Sequence, residues 1–294
     1  MATRFELVLP VETSGRDEGA WRAALRAAGE EALAEIVAME DWLSIYRPGS
    51  PIAQANARAA HEPVRLPPPV FDFLCLAREW SARTENTFDP TVGPLVRVWR
   101  ELDSQSPEWP AWEAAARALV GWRHVELDPR ERTIRFHQPG VRLDFGSIGK
   151  GWAIDRALTV LREAGVTRAL LHGGTSTVMA LGTPPGAAAW QIELVEVSGQ
   201  NPAGDGGPRT VALVDAALSV SATWGRTQRD ARGREQGHVL DPRTGEPVAG
   251  PHRAAVVGPT ALLTDVLSTA LLVSGPPLLP RLGEFGPGVH GWYD

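Results

Sequence analysis

Asp144-Phe-Gly-Ser-Ile-Gly-Lys-Gly-Trp-Ala-Ile-Asp155 packs three glycines, a lysine and two carboxylates between a run that reads as strand and one that reads as helix. Upstream, Thr133-Ile-Arg-Phe-His and Val141-Arg-Leu alternate apolar with polar residues, which predicts two short strands joined at Pro139-Gly140. Downstream, Ile154, Ala157, Leu158 and Leu161 recur at helical spacing until Gly165 stops the helix. Glycines at 146, 149 and 151 let backbone N–H groups approach a ligand, and the helix N-terminus adds a partial positive charge. Lys150 adds a full one. The bend is neither a P-loop, because Gly151 follows Lys150 where Ser or Thr would stand, nor a G-x-G-x-x-G turn. By itself, a glycine-rich bend of this kind also fits a tight structural connection.

The surrounding chain of 294 residues is long enough for one large domain or two modest ones, and 43% hydrophobic with 22% charged residues is ordinary for a globular protein. A net charge of -6 with scattered basic residues argues against a nucleic-acid surface. No apolar run approaches the roughly 18 residues of a membrane span, and Met1 to Glu6 enters a strand with no apolar leader, so the expected location is cytoplasmic. The lone Cys75 has no disulfide partner within the chain and reads as an inert buried thiol.

Working outward, Phe5 to Val11 alternates as a strand, and Gly19 to Met39 forms an amphipathic helix carrying Trp21, Leu25, Ala28, Ala32 and Ile36 on one side. A proline-marked loop from Ser44 leads to Asn56, which can cap or contact a ligand. Helical spacing runs from Val70 to about Thr84. In Asn86-Thr-Phe-Asp-Pro-Thr-Val-Gly-Pro-Leu-Val-Arg-Val-Trp99, two prolines and a glycine predict extended backbone with available polar groups, or a turn before a helix. Ser104 to Trp109 reads as a loop and Trp112 to Leu119 as a helix. Arg168 to Leu171 reads as a buried strand running into Gly173-Gly174, where backbone can meet a ligand. Trp190–Val197 and Thr210–Val214 read as antiparallel strands, and Ala217–Ala222 as another.

Two further segments carry chemistry. In His238-Val-Leu-Asp-Pro-Arg-Thr-Gly-Glu-Pro-Val248 a tight turn follows a short strand, and His238 is a candidate general base because an imidazole ordinarily titrates near neutral pH. In Thr260 to Val273, a helix with Thr260 as N-cap, Asp265 and Thr269 project from one face. A carboxylate, a hydroxyl and a backbone carbonyl make the oxygen-only set that Mg²⁺ prefers.

Taken in order, these segments resemble the ApbE family of FAD:protein FMN transferases. The likeness runs through Ser44-x-Tyr-Arg-Pro-x-Ser to Asn56, Thr87-Phe-Asp-Pro-Thr-Val-Gly-Pro-Leu-Val, Asp144 to Asp155, Gly173-Gly174, His238 to Val248 and Asp265-x-x-x-Thr269. It implies one α+β catalytic unit over residues 1–294, with mixed or antiparallel sheets, packed helices and FAD in a cleft between two lobes. FMN passes from FAD to a Thr or Ser hydroxyl of an acceptor flavoprotein, AMP leaves, and Mg²⁺ sits on the pyrophosphate. By that resemblance Asp265, Thr269 and the Ser147 carbonyl hold the metal. Asn56, Thr87, Phe88, Asp89, Asp144, Lys150, Gly174 and the backbone at Leu240 border FAD, and His238 activates the acceptor.

Two departures mark a divergent branch. Gly173-Gly174-Thr175 stands where most members have Gly-Gly-Asp, and Ala222-Thr223-Trp224-Gly225-Arg226 where most have Thr-Ser-Gly-Asp-Tyr. Both remove an acid, which leaves room for two alternatives: an FAD-binding carrier without chemistry, or an FAD pyrophosphatase giving FMN and AMP.

Overall fold

Period-two alternation builds an antiparallel six-stranded sheet in the order β1 (Phe5–Val8), β5 (Ala169–Gly173), β6 (Thr177–Leu181), β9 (Ala217–Ala222), β12 (Arg253–Gly258), β13 (His290–Tyr293). The computed structural model describes residues 3–11, 17–194, 210–223, 227–229, 235–237, 239–250 and 252–294. In β12 every residue is buried, because the two faces of the strand meet different cores. Ala254 and Val256 face a core shared with helices α1 (Glu18–Leu43), α6 (Gly149–Glu163) and α7 (Ala261–Ser274). Ala255 and Val257 face a second core closed by the hairpin β7 (Trp190–Glu193) and β8 (Thr210–Leu213). Such double burial explains why this strand reads as a continuous apolar run.

A three-stranded sheet, β2 (Val64–Arg65), β4 (Thr133–Phe136) and β3 (Val125–Asp128), lies beside helices α2 (Pro51–Arg58) and α3 (Pro68–Arg83). A third apolar cluster joins α4 (Gly93–Glu101) and α5 (Trp109–Ala118) with Leu240, and Trp99 and Trp109 meet edge to face there, their centroids 4.9 Å apart. The short pair β10 (Thr227–Arg229) and β11 (Glu235–Gly237) precedes the turn holding Leu240. Among the described residues no helix is long and apolar enough to cross a membrane.

Several local expectations change. Helix α1 runs on to Leu43 because Met39 and Leu43 extend its buried stripe. Val141–Leu143 is not a strand: β4 pairs with β2 and β3, while the Asn56 side chain accepts from Leu143 N–H (2.8 Å) and donates to Leu143 C=O (2.9 Å). Of the two readings of the run after Asn86, the structure takes the turn before a helix: a 3₁₀ turn (Pro90–Val92) leads into α4, with Pro90 and Pro94 in first turns, where a missing N–H costs nothing. Helix α5 starts at Trp109, three residues earlier than the sequence pattern suggests, again with a proline in its first turn. Cys75 is half-buried rather than buried, and burial pushes its thiol pKa up.

Candidate active site

Helices α6 and α7 cross with their first turns in backbone contact, and Gly151 is what permits it. A Cβ at Gly151 would lie 2.3 Å from the Ala261 carbonyl oxygen and 2.8 Å from Leu262 Cα. From the other direction, Asp155, one turn further along α6, accepts from Ala261 N–H (2.8 Å) and Leu262 N–H (2.9 Å), capping α7 beside Thr260. Burial pushes Asp155 up to about 6, against the pull of those two N–H groups.

This crossing brings Asp265 to the glycine bend. Gly151 N–H, whose partner in a regular helix would be the Ser147 carbonyl, donates instead to Asp265 Oδ2 (2.9 Å), and among the described residues no hydrogen bond reaches Ser147 O. Lys150 Nζ stands 3.7 Å from the same oxygen, and Thr177 Oγ1 donates to Asp265 Oδ1 (3.0 Å). Burial raises the pKa of the Asp265 carboxyl, while Lys150, Gly151 and Thr177 act to lower it. Thr269, one turn on, is half-buried, with its hydroxyl 3.4 Å from Ser221 Oγ.

The bend itself offers fewer donors than its glycines suggest. Gly146 N–H goes to Asp144 Oδ1, Ile148 and Gly149 N–H go to the Phe145 carbonyl, and Gly151 goes to Asp265. Positive charge toward a ligand therefore falls mainly to Lys150. Beneath the bend, Phe73 stacks on Trp152 with centroids 4.2 Å apart and tilts against Phe145 at 5.1 Å, fixing both flanks.

Of the other residues singled out in the sequence, Asn56, the Thr87–Asp89 run and Asp144 are tied to the segment leading into the bend, whereas the contacts of Gly174 and Leu240 lie elsewhere. Asn56 holds Leu143, as described, and Asp144 N–H donates to the Pro90 carbonyl (2.8 Å), tying the bend to the Thr87–Asp89 run. In that run Thr87 Oγ1 donates to Thr84 C=O, Phe88 is buried, and Asp89 Oδ1 accepts from Thr91 N–H. Burial pushes Asp89 up to about 6. Asp144 Oδ2 is buried with no hydrogen-bond partner among the described residues, and Arg100 Nη1 lies 3.7 Å from it. Gly174 takes a left-handed φ of 62° at the β5–β6 turn, and its N–H donates to Arg4 C=O. Leu240 is buried against the α4–α5 cluster and bridges to Pro247, while Arg117 holds the neighbouring Thr244 carbonyl. His238 and Trp224–Arg226 lie outside the described residues.

A profile of the ApbE family matches residues 1–288. The chain belongs to the ApbE family. An FAD:protein FMN transferase of Rhodobacter capsulatus is 31% identical over 95% of this chain, and this chain spans only about half of that relative, 51% of its length. One from Klebsiella pneumoniae is 32% identical over 79% of this chain and 71% of its own length. The crystal structure of the ApbE protein from Thermotoga maritima superposes with a TM-score of 0.77 at 25% identity, covering 90% of this chain and 85% of that one. The mixed α+β architecture with antiparallel sheets is thus the ApbE fold.

Sequence reading missed the hydroxyls around α7. Ser219 Oγ meets Thr264 Oγ1 (2.8 Å), Ser221 Oγ meets Ser268 Oγ (2.9 Å), and Thr177 meets Asp265. The available signal was small polar residues at alternate positions of β9 facing others four apart on α7. Tyr46 and Arg100 were missed as a pair as well: the arginine Nη1 donates to the exposed phenol oxygen (2.7 Å) close to Asp144.

Proposed function

We propose that this chain transfers FMN from FAD to a Thr or Ser hydroxyl of an acceptor flavoprotein, releasing AMP, and that residues 1–294 act as one catalytic unit. The observation that carries the reading is the meeting of Asp265 with the glycine bend through Gly151 N–H and Lys150. Family membership supplies the reaction type.

The oxygen set fits a hard divalent cation. Asp265 retains lone pairs beyond its internal hydrogen bonds, the Ser147 carbonyl has no hydrogen-bond partner among the described residues, and Thr269 is half open on the same helix face. Asp265, Thr269 and Ser147 O would hold Mg²⁺, which when bound supplies neutralising charge on diphosphate oxygens. Lys150 binds a diphosphate oxygen and stabilises the charge that grows there during displacement. Asp144 Oδ2 accepts a hydrogen bond from a donor on the dinucleotide, and His238 takes the proton of the attacking hydroxyl. The acceptor oxygen bonds to the FMN phosphorus while the bond to the AMP phosphate oxygen breaks, AMP leaving with that electron pair. With so little covalent work to do, alignment carries most of the rate.

Purified protein incubated with FAD and Mg²⁺, with and without a Thr-containing acceptor protein, tests the reading by AMP release. AMP formed only with acceptor supports transfer. AMP formed regardless points to hydrolysis, and retained FAD without AMP points to a carrier. Asp265→Ala is expected to abolish Mg²⁺-dependent AMP release while the circular dichroism spectrum stays that of wild type. Equal release from both proteins removes Asp265 from the metal site.

A further inference from the structure

We infer that Thr177 is a positioning residue for the metal site: its hydroxyl, reaching from the sheet, fixes the Asp265 carboxylate in the rotamer that receives a divalent cation. This rests on the proposed metal role of Asp265. Thr177 opens β6, where it pairs with Gly173 of β5 and Ser219 of β9, and is 2% exposed. Its Oγ1 lies 3.0 Å from Asp265 Oδ1. An ionised carboxylate only accepts, so the hydroxyl is the donor. β-Branching restricts χ1 of Thr177, so the donor is held in place by the strand.

The opposite carboxylate oxygen is held from α6 by Gly151 N–H at 2.9 Å. The carboxylate is thereby tethered at both oxygens from two other elements, β6 and α6, which restrains rotation about χ2. Neither tether exhausts its oxygen's lone pairs. Hydrogen-bonding partners of metal ligands act in this way, orienting the ligand before the ion arrives.

The test is direct binding of Mn²⁺ in place of Mg²⁺, followed by electron paramagnetic resonance on the full chain without FAD. Thr177→Val, close in shape and lacking the donor, is expected to weaken Mn²⁺ binding about 10-fold, and Thr177→Ser to restore it to within about two-fold, the range left by a preserved donor. AMP release measured against Mg²⁺ concentration should show the same rise in the half-saturating concentration, with the rate at saturating Mg²⁺ largely recovered. A purely structural role would instead lower the rate at every Mg²⁺ concentration. Asp265→Ala is run alongside. If it binds Mn²⁺ like wild type, the metal reading fails. If it loses Mn²⁺ while Thr177→Val binds as wild type, the positioning role alone is overturned. Should Thr177→Val not fold, Thr177→Ala carries the same expectation.

Discussion

Replacing Gly151 by alanine tests the crossing on which the site depends. In an ordinary helix the change would stabilise by about 1 kcal/mol, because alanine is the better helix former. Here the new Cβ would sit 2.3 Å from the Ala261 carbonyl oxygen and 2.7 Å from its carbon, both backbone atoms that cannot rotate away. Restoring van der Waals contact requires α7 to retreat by about 1 Å. The same retreat stretches the 2.9 Å bond from Gly151 N–H to Asp265 Oδ2 beyond hydrogen-bonding range. Overpacking costs about 1–3 kcal/mol and loss of a hydrogen bond to a charged group about 1.5–3. Set against the helix gain, the expected net loss is about 3 kcal/mol. Urea unfolding measures it, with Gly49→Ala, whose Cβ would meet nothing within 4 Å, as the neutral control. AMP release should fall further than stability does, because Asp265 moves with α7. A Gly151→Ala protein as stable as wild type, or stabilised by the helix-propensity gain, would refute the backbone-contact argument.

Asp89 has a pH signature. Its carboxyl titrates near 6 in the folded chain against 3.8 unfolded, so between those values the unfolded state loses its proton first and stability falls as pH rises. Asp89→Asn keeps an acceptor for Thr91 N–H and removes the titration; relative to wild type it should gain about 2 kcal/mol between pH 4 and 7, read from urea midpoints. A difference that stays flat over that range refutes the buried-carboxylate account. Phe73→Ala, which empties the stack under the bend, should cost about 3–5 kcal/mol and lower AMP release at temperatures where the chain is still folded. A cost below about 1 kcal/mol would show that the Phe145 and Trp152 flanks do not depend on it.

Elements with their own local signals were readable from sequence. Helix α7 shows its Thr260 cap and an apolar run, and β9 and the β7–β8 hairpin show alternation. What failed were segments whose partners come from far along the chain. Val141–Leu143 alternates like a strand, but the N–H and C=O of Leu143 are satisfied by Asn56, 87 residues earlier. The prolines at 90 and 94 left two readings open, an extended strip or a turn before a helix, because their tolerance in a first helical turn depends on where the helix starts. Of the site, Asp265 and the glycine bend were visible as types of residue at a spacing. Their meeting, across 114 residues, was supplied only by the resemblance to a family.

The same contacts hold the fold and the site together, and this accounts for where the acids lie. Asp265 is buried and Asp155 half-buried, and for both burial disfavours the ionised form, an arrangement a stability-driven core would replace with apolar side chains. Asp155 offsets part of its cost by capping two N–H groups of α7 that the close crossing shuts away from water. Asp265 likewise accepts one helix N–H, from Gly151, and also the Thr177 hydroxyl, with the Lys150 ammonium 3.7 Å away. A carboxylate held by Thr177 of β6 and by Gly151 and Lys150 of α6, with no hydrogen bond reaching the Ser147 carbonyl among the described residues, fits the cation site proposed above, and the burial of its charge is a cost that site would explain.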